Sequence, residues 1–416
     1  MHYNSLPHML ANIEHLLPTC CGDPEFIARS RRHDALVLMY SVIPEPPTLN
    51  AILVLRRYFR NVVLLRNNLY FPTESYPDAP ALIEIGRAID IRSALNKSVP
   101  WKLSRFARYC AALLWHLRKN SYRIIIVHDY LALLAFSLVR GLVEYNGLTW
   151  FNSYDVIDQA RIRPWSLMDW VLRRHERLFS ELDYFSTPAQ ERMRYYPVEH
   201  VRRQSFVIPN YPTIAFYSHF WRARRLCDQP SIRLIYQGAL GRGHGFEELI
   251  RILGRTVANR PIELVLKGWI DECYKNDLLD LAAKEGVEQQ LTFEPFGSYR
   301  TVPELASRCT IGLAIFTTQD IMNSTLGTAS NKIYEYAAVG LPVILYDNAH
   351  FRHHLGGRQW AFFTTLSESS LVHAVEDIVR CYDIATRAAT EDFRHELNFE
   401  RAFTPALHTV LQQLLA

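Results

Sequence analysis

The 416-residue chain carries 46 Lys and Arg against 42 Asp and Glu, with 49% hydrophobic and 21% charged residues, 17 Gly and 21 Pro. That composition excludes disordered and fibrous classes, and a chain of this length predicts two globular domains of roughly 200 residues each. Leu131–Val139, the longest uncharged apolar run, is walled by Asp129 and Arg140 and falls well short of the about 18 residues that a bilayer span needs.

The amino terminus shows no basic region followed by an apolar stretch and a cleavage site, so a cytoplasmic protein is expected. Seven cysteines (Cys20, Cys21, Cys110, Cys227, Cys273, Cys309 and Cys381) form no Cys-x-x-Cys pair, which reads as reduced thiols and not as a disulfide frame or zinc site. Charge is unevenly spread. Residues 1–230 hold 29 Lys and Arg against 20 Asp and Glu, the remainder 17 against 22. A basic half suits phosphate, anionic lipid or nucleic acid, and equally an ordinary solvated Arg-rich surface.

Residues 1–33 precede any strand signal. Leu6, Met9, Leu10, Ile13, Leu16 and Leu17 share one helical face closed by Pro18, which predicts a helical extension whose apolar face packs on the first domain, ahead of binding a membrane or partner. The strand–helix alternation begins at 35–40 (ALVLMY), a run typical of a strand buried on both faces. A Pro-rich loop at 43–47, a helix at 49–60 and strands at 61–65, 123–127, 148–151, 184–186 and 205–208 follow. A polar, Arg-rich stretch at 213–230 reads as a linker. The pattern restarts with strands at 232–236, 262–266, 291–293, 311–316 and 342–345, helices between them, a helix at 367–388, and a closing amphipathic helix bearing Leu407, Val410, Leu411, Leu414 and Leu415. The expectation is α/β: two doubly wound parallel-sheet domains at 34–212 and 231–390, and a C-terminal helix within 391–416 that crosses back to the first domain.

In such sheets ligands bind beyond the carboxyl ends of the strands, where loops and helix N-termini present amide donors. The loop after 232–236 (YQGALGRGHGF) carries Gly238, Gly241, Gly243 and Gly245, which let the backbone approach a phosphate, with Arg242 and His244 as further donors; plain turn chemistry explains the glycines equally well. It matches neither a dinucleotide fingerprint nor a Walker loop. Lys267 follows the next strand directly. A helix opening at Asn331 bears Lys332 and Glu335, ends at Gly340 and feeds a strand through Pro342. Its N-terminus suits a diphosphate, and Glu335 is placed to accept hydrogen bonds from vicinal hydroxyls of a ribose.

Residues 331–344 (NKIYEYAAVGLPVI) resemble the signature of the GT-B-fold glycosyltransferases, in particular the group-1 family of retaining enzymes that use UDP- or GDP-sugars. Residues 236–249, 264–268, 304–316, 124–129 (IIIVHD) and 207–211 (VIPNY) resemble further segments of that family in order, so that the likeness covers about 34–410. It implies two Rossmann-like domains facing a cleft, a metal-independent transfer of a sugar from a nucleoside diphosphate to a glycan or lipid-linked acceptor, and no cofactor. It implies Glu335 as the ribose ligand, Lys332 as a phosphate contact and His128 near the acceptor. Two departures stand out. A sugar-contacting Glu of the family falls on Gly327, and its Arg and Lys of the first donor loop fall on Ala239 and His244, leaving Arg242 as a substitute.

The donor set expected is therefore Gly238, Arg242, His244, Lys267, Asn331, Lys332 and Glu335. His128 and Asp155 are the candidates for handling the acceptor hydroxyl, each equally readable as a structural residue. No carboxylate pair or His cluster has metal-ligand spacing. Basic-aromatic stretches at 101–119, 161–177 and 217–225 suit docking on the inner face of an anionic membrane, ranked ahead of nucleic acid. An epimerase of the same fold and a catalytically silent binding module are the rival readings.

Overall fold

The computed structural model describes residues 24–40, 46–70, 81–222, 224–317 and 321–416. These divide into two units. One runs to Pro209 and includes Phe399–Ala416; the other is Asn210–Asn398. The apolar face expected at 6–17 and most of the Pro-rich loop lie outside the described residues.

In the first unit, β1 (Asp34–Met39), β2 (Asn61–Tyr70), β3 (Ala81–Asp90), β4 (Ile124–Val127), β5 (Leu148–Asn152), β6 (Tyr184–Thr187) and β7 (Gln204–Val207) form one sheet in the order β3-β2-β1-β4-β5-β6-β7. Every neighbouring pair is parallel. The β-branched run Ile124–Val127 is buried throughout, as a central strand covered on both faces requires. Helix Tyr130–Arg140 packs on β1 and β4, and Asp129 caps it by accepting from the Ala132 amide at 2.9 Å. β3 is absent from the strands expected above. It is an edge strand, paired on one side only, so it keeps Glu84, Arg87 and Asp90 and lacks a continuous apolar run.

Helix Phe399–Leu415 belongs to this first unit, as the crossing-back expectation requires. Phe403 stacks on the fully buried Trp150 with centroids 5.2 Å apart and planes 6° from parallel. His408 Nε2 lies 3.1 Å from the Tyr58 hydroxyl. The residues just before it, Tyr382–His395, form a separate helix on the second unit. The single helix expected at 367–388 is in fact two, broken at Cys381 between Arg380 and Tyr382.

The second unit repeats the topology with β8 (Ile232–Leu240), β10 (Arg260–Ile270), β11 (Leu291–Pro295), β12 (Ile311–Ala314), β13 (Val343–Tyr346) and β14 (Ala361–Thr364), in the order β11-β10-β8-β12-β13-β14. All of these pairs are parallel; β9 (Thr256–Val257) adds an antiparallel pair to β10. Residues 213–230 are no free linker. Ile214–Tyr217 is a helical turn whose Ile214 and Tyr217 are fully buried in this unit's core, and Arg224 bonds three backbone carbonyls within it. In each sheet the strand order reverses once, between β1 and β4 and between β8 and β12. Those two switch points are where a doubly wound sheet opens a crevice beyond its strand ends.

Candidate functional site

At the switch point of the second unit, β8 delivers Gln237 and Gly238, and helix Asn331–Ala338 delivers Lys332 and Glu335. Glu335 is 6% exposed. Its Oε2 accepts from Gln237 Nε2 at 2.7 Å and its Oε1 from the Tyr299 hydroxyl at 2.6 Å. The Tyr217 hydroxyl stands 3.1 Å from that of Tyr299, completing a buried chain. Burial pushes the Glu335 carboxyl above the usual carboxylate range, against the pull of these hydrogen bonds and of Lys332. With Tyr217 also acting on the carboxylate, three donors face its four acceptor positions, so at most one position is left for a ligand.

The Lys332 ammonium lies 3.7 Å from the centroid of the Tyr236 ring and 4.7 Å from that of Phe316. The residue keeps some exposed surface, yet burial of its ammonium pushes the group down to about 7, with Glu335 countering. Gly238 leaves the space beside it: a Cβ there would stand 3.4 Å from Lys332 Nζ at a backbone φ of +126°. The neighbouring Gly268 is forced more strictly, since its Cβ would meet the Gly238 carbonyl oxygen at 1.8 Å.

His244 shares the same two rings, 4.9 Å from Tyr236 and 5.4 Å from Phe316. Its Nδ1 is 2.9 Å from the Ile315 carbonyl oxygen, so Nδ1 carries the proton and Nε2 is left as an acceptor. Burial, helped by the Lys332 charge, pushes it down to about 4. His244 therefore becomes a phosphate donor only by taking up a proton. Lys267 is 7% exposed, sits level with Gln237 on the adjacent strand, and donates to the Pro295 carbonyl at 3.3 Å. Burial lowers it as well. Asn331 is the first residue of the helix, and Ser330 before it offers no side-chain cap to the helix amides.

Arg242 is not brought to this cluster. Its side chain is 68% exposed, pairs with Asp277 and Glu247, and lies over the Tyr274 ring at 4.5 Å. Gly327, which stands where the resemblance places a glutamate, is tightly packed. Its amide donates to His350 Nε2 at 2.7 Å, and a Cβ on it would stand 2.3 Å from the His354 ring. Gln237, Tyr299 and Tyr217 are the site residues that sequence reasoning passed over. None is near Glu335 in the chain, and only Gln237 carried a signal, as the residue before the Gly-rich loop.

In the first unit, His128 and Asp155 follow β4 and β5. His128 is 3% exposed and stacks on Tyr154 with centroids 5.2 Å apart. Burial holds it neutral, pushed down to about 3; neither ring nitrogen meets a well-formed partner, although the Asn152 backbone weakly favours the charged form. The loop beside it is pinned. Arg192, itself buried, bonds the Tyr154 carbonyl, and the Tyr196 hydroxyl donates to the Asp155 carbonyl at 3.1 Å. Asp155 is exposed as a residue, while burial around its carboxyl raises that group and Arg192 opposes the rise.

No family model matches the sequence, and no curated protein matches it in sequence. Solved structures do match in fold. HepE of Anabaena, solved in complex with UDP and glucose, aligns at TM-score 0.64 over 91% of this chain and 100% of its own, with 15% identity. Sucrose-phosphate synthase from Thermosynechococcus elongatus aligns at 0.64 over 92% and 99%, with 12% identity. A glycosyltransferase from Rickettsia africae aligns at 0.61 over 92% and 98%, with 9% identity. The class that the fold defines is thus the two-domain, Rossmann-like GT-B fold. At these identities the likeness is one of architecture, and it extends along nearly the whole of each chain.

Proposed function

We propose that this protein is a glycosyltransferase that takes a sugar from a nucleoside-diphosphate donor. The observation that carries the reading is the Glu335–Gln237–Tyr299 cradle with Lys332 one turn away, at the switch point of a doubly wound sheet. There, Glu335 accepts a hydrogen bond from a ribose hydroxyl. Lys332, Lys267 and the uncapped amides at 331–333 meet the diphosphate, whose negative charge grows as the glycosidic bond breaks. Lys332 suits that role because it is held by rings and not by a carboxylate in contact, and its charge returns when phosphate approaches. Asp155, exposed and raised, takes the acceptor proton; neutral, buried His128 supports the Tyr154 loop. The nucleotide-sugar is a substrate, and neither cofactor nor metal takes part.

The acceptor is a glycan or a lipid-linked glycan. Support comes from the basic-aromatic face at 161–177, where Trp165 is 87% exposed, Arg173 lies over it at 5.3 Å and Arg174 lies over Trp170 at 4.5 Å. Among the described residues no helix is long and apolar enough to cross a membrane. A protein resting on the cytoplasmic surface of the membrane fits both facts. A silent binding module is the second reading, and Gly327 favours it, since it leaves no carboxylate at the place where the resemblance expects a sugar contact. Turnover of UDP- and GDP-sugars, with and without lipid extract and in the presence of EDTA, separates the readings. Sugar transfer that needs the extract and survives EDTA supports the first; tight nucleotide binding without any turnover supports the second.

A further inference from the structure

The second unit holds a basic pocket that the proposed reaction does not use. Trp221, Arg222 and Arg225 line it from the segment before β8, and Asp383, Arg387 and Arg394 from helix Tyr382–His395; it encloses about 410 Å³. Arg224 also lines it and is committed to the fold, donating to the carbonyls of Val339 at 2.9 Å, Cys309 at 2.8 Å and Ser307 at 2.7 Å. Val339 caps the carboxyl end of the helix that carries Lys332 at its amino end. The pocket therefore sits at the opposite end of that helix, about 10 Å along its axis from Lys332.

The lining gathers five guanidinium groups around one carboxylate. Arg222, Arg225, Arg387 and Arg394 make no ion pair among the described residues. Of the other acids nearby, Asp392 and Glu396 are both held by Arg358, and Glu391 makes no ion pair with these arginines among the described residues. Arg394 lies over the Trp221 ring at 4.2 Å, and its Nε is buried without a hydrogen-bond partner, as is the Trp221 indole N–H. Buried donors are rarely left unpaired, and a bound anion in the pocket would satisfy both. The neighbouring hydroxyls are already donating, Thr386 to the Asp383 carbonyl and Thr390 to the Thr386 carbonyl, so the donors left to a ligand are the guanidinium groups and the Trp221 indole. What remains is a group of guanidinium forks lining one pocket, Arg222, Arg225 and Arg387 exposed and Arg394 half-buried against Trp221, and such forks suit the oxygens of a multiply charged phosphate.

We infer that this pocket binds the phosphate or diphosphate group of a small soluble molecule, at a site separate from the one around Lys332. The inference does not depend on the nucleotide reading. Calorimetric titration of the full chain with inorganic pyrophosphate tests it. The titration is run on the wild type, on Lys332→Met, and on Lys332→Met carrying either Arg222→Ser/Arg387→Ser or, as an equal change of surface charge elsewhere, Arg251→Ser/Arg255→Ser. The binding that survives Lys332→Met is expected to weaken at least tenfold when Arg222→Ser/Arg387→Ser is added in that background, and to hold when Arg251→Ser/Arg255→Ser is added instead. Loss of all binding in Lys332→Met, or equal weakening in the two arginine variants, overturns the pocket. Phosphatidylglycerol vesicles form the second arm. Capture by vesicles that requires Arg222 and Arg387, with no pyrophosphate binding, assigns the arginines to a lipid surface and overturns the soluble ligand. If the double variant melts early, Arg387→Gln, at an exposed helix position, gives the same reading with a smaller change.

Discussion

Tyr299 and Glu335 are joined by a 2.6 Å hydrogen bond, phenol to carboxylate, across residues that lie in different elements of the second unit. With Gln237 on the other oxygen, the carboxylate is aimed before any ligand arrives. We expect Glu335→Ala to weaken UDP or GDP binding by about 1–3 kcal/mol, the range for a hydrogen bond to a charged group. Tyr299→Phe should cost less, about 1 kcal/mol, since Gln237 still orients the carboxylate. Calorimetry with each nucleotide checks both, and unchanged affinity in Glu335→Ala would place the nucleotide elsewhere.

The lowered Lys332 ammonium gives nucleotide binding a pH signature. The group falls from 10.5 in the unfolded chain to about 7 in the folded one. Between those values the unfolded chain binds more protons, so the contribution of Lys332 to stability rises with pH there and is most unfavourable below about 7. A diphosphate reverses the preference and recharges the amine. Binding near pH 8 should therefore take up protons, and affinity should fall as pH climbs from about 7 towards 10.5. Titrations in buffers of different ionisation enthalpy measure the uptake. Lys332→Met should abolish most of it; the same uptake in that variant would assign the proton to His244 or to the ligand.

Phe403 ties the last helix to the first unit through Trp150. Phe403→Ala should destabilise that unit by about 3–5 kcal/mol, the usual loss for a buried aromatic ring. Denaturant unfolding followed by tryptophan fluorescence reads it. A chain ending at Asn398 should behave at least as badly. If either variant unfolds like the wild type, the helix is an accessory to the fold and not part of its core.

The face around Trp165 should hold the protein on phosphatidylglycerol vesicles and not on neutral ones. Each Lys or Arg near such a surface contributes about 1 kcal/mol, and screening shortens its reach to about 8 Å at physiological salt, so sedimentation should fall as salt rises. Trp165→Ser with Arg173→Ser and Arg174→Ser should release the protein without changing nucleotide affinity, because those residues lie in the other unit. Binding to neutral vesicles alike would point away from charge and towards apolar insertion.

The sequence by itself determined the alternation of strand and helix, the division into two doubly wound sheets, and the glutamate and lysine at the head of helix 331–338. Those features are local: apolar runs of strand length, a Gly at a helix end, and residues one turn apart on a single helix. It passed over β3 and β14, because both are edge strands and neither shows the fully buried apolar run that marks a central strand. Tertiary structure alone decided the partners of each charge. Gln237 and Tyr299 reach Glu335 from separate strands and loops, Arg242 turns to Asp277, and Arg224 turns inward to three carbonyls while its neighbours line a pocket. Periodicity states which face of an element is buried, but which side chain meets another across a sheet depends on strand order and register, and those are settled only when the whole unit has closed.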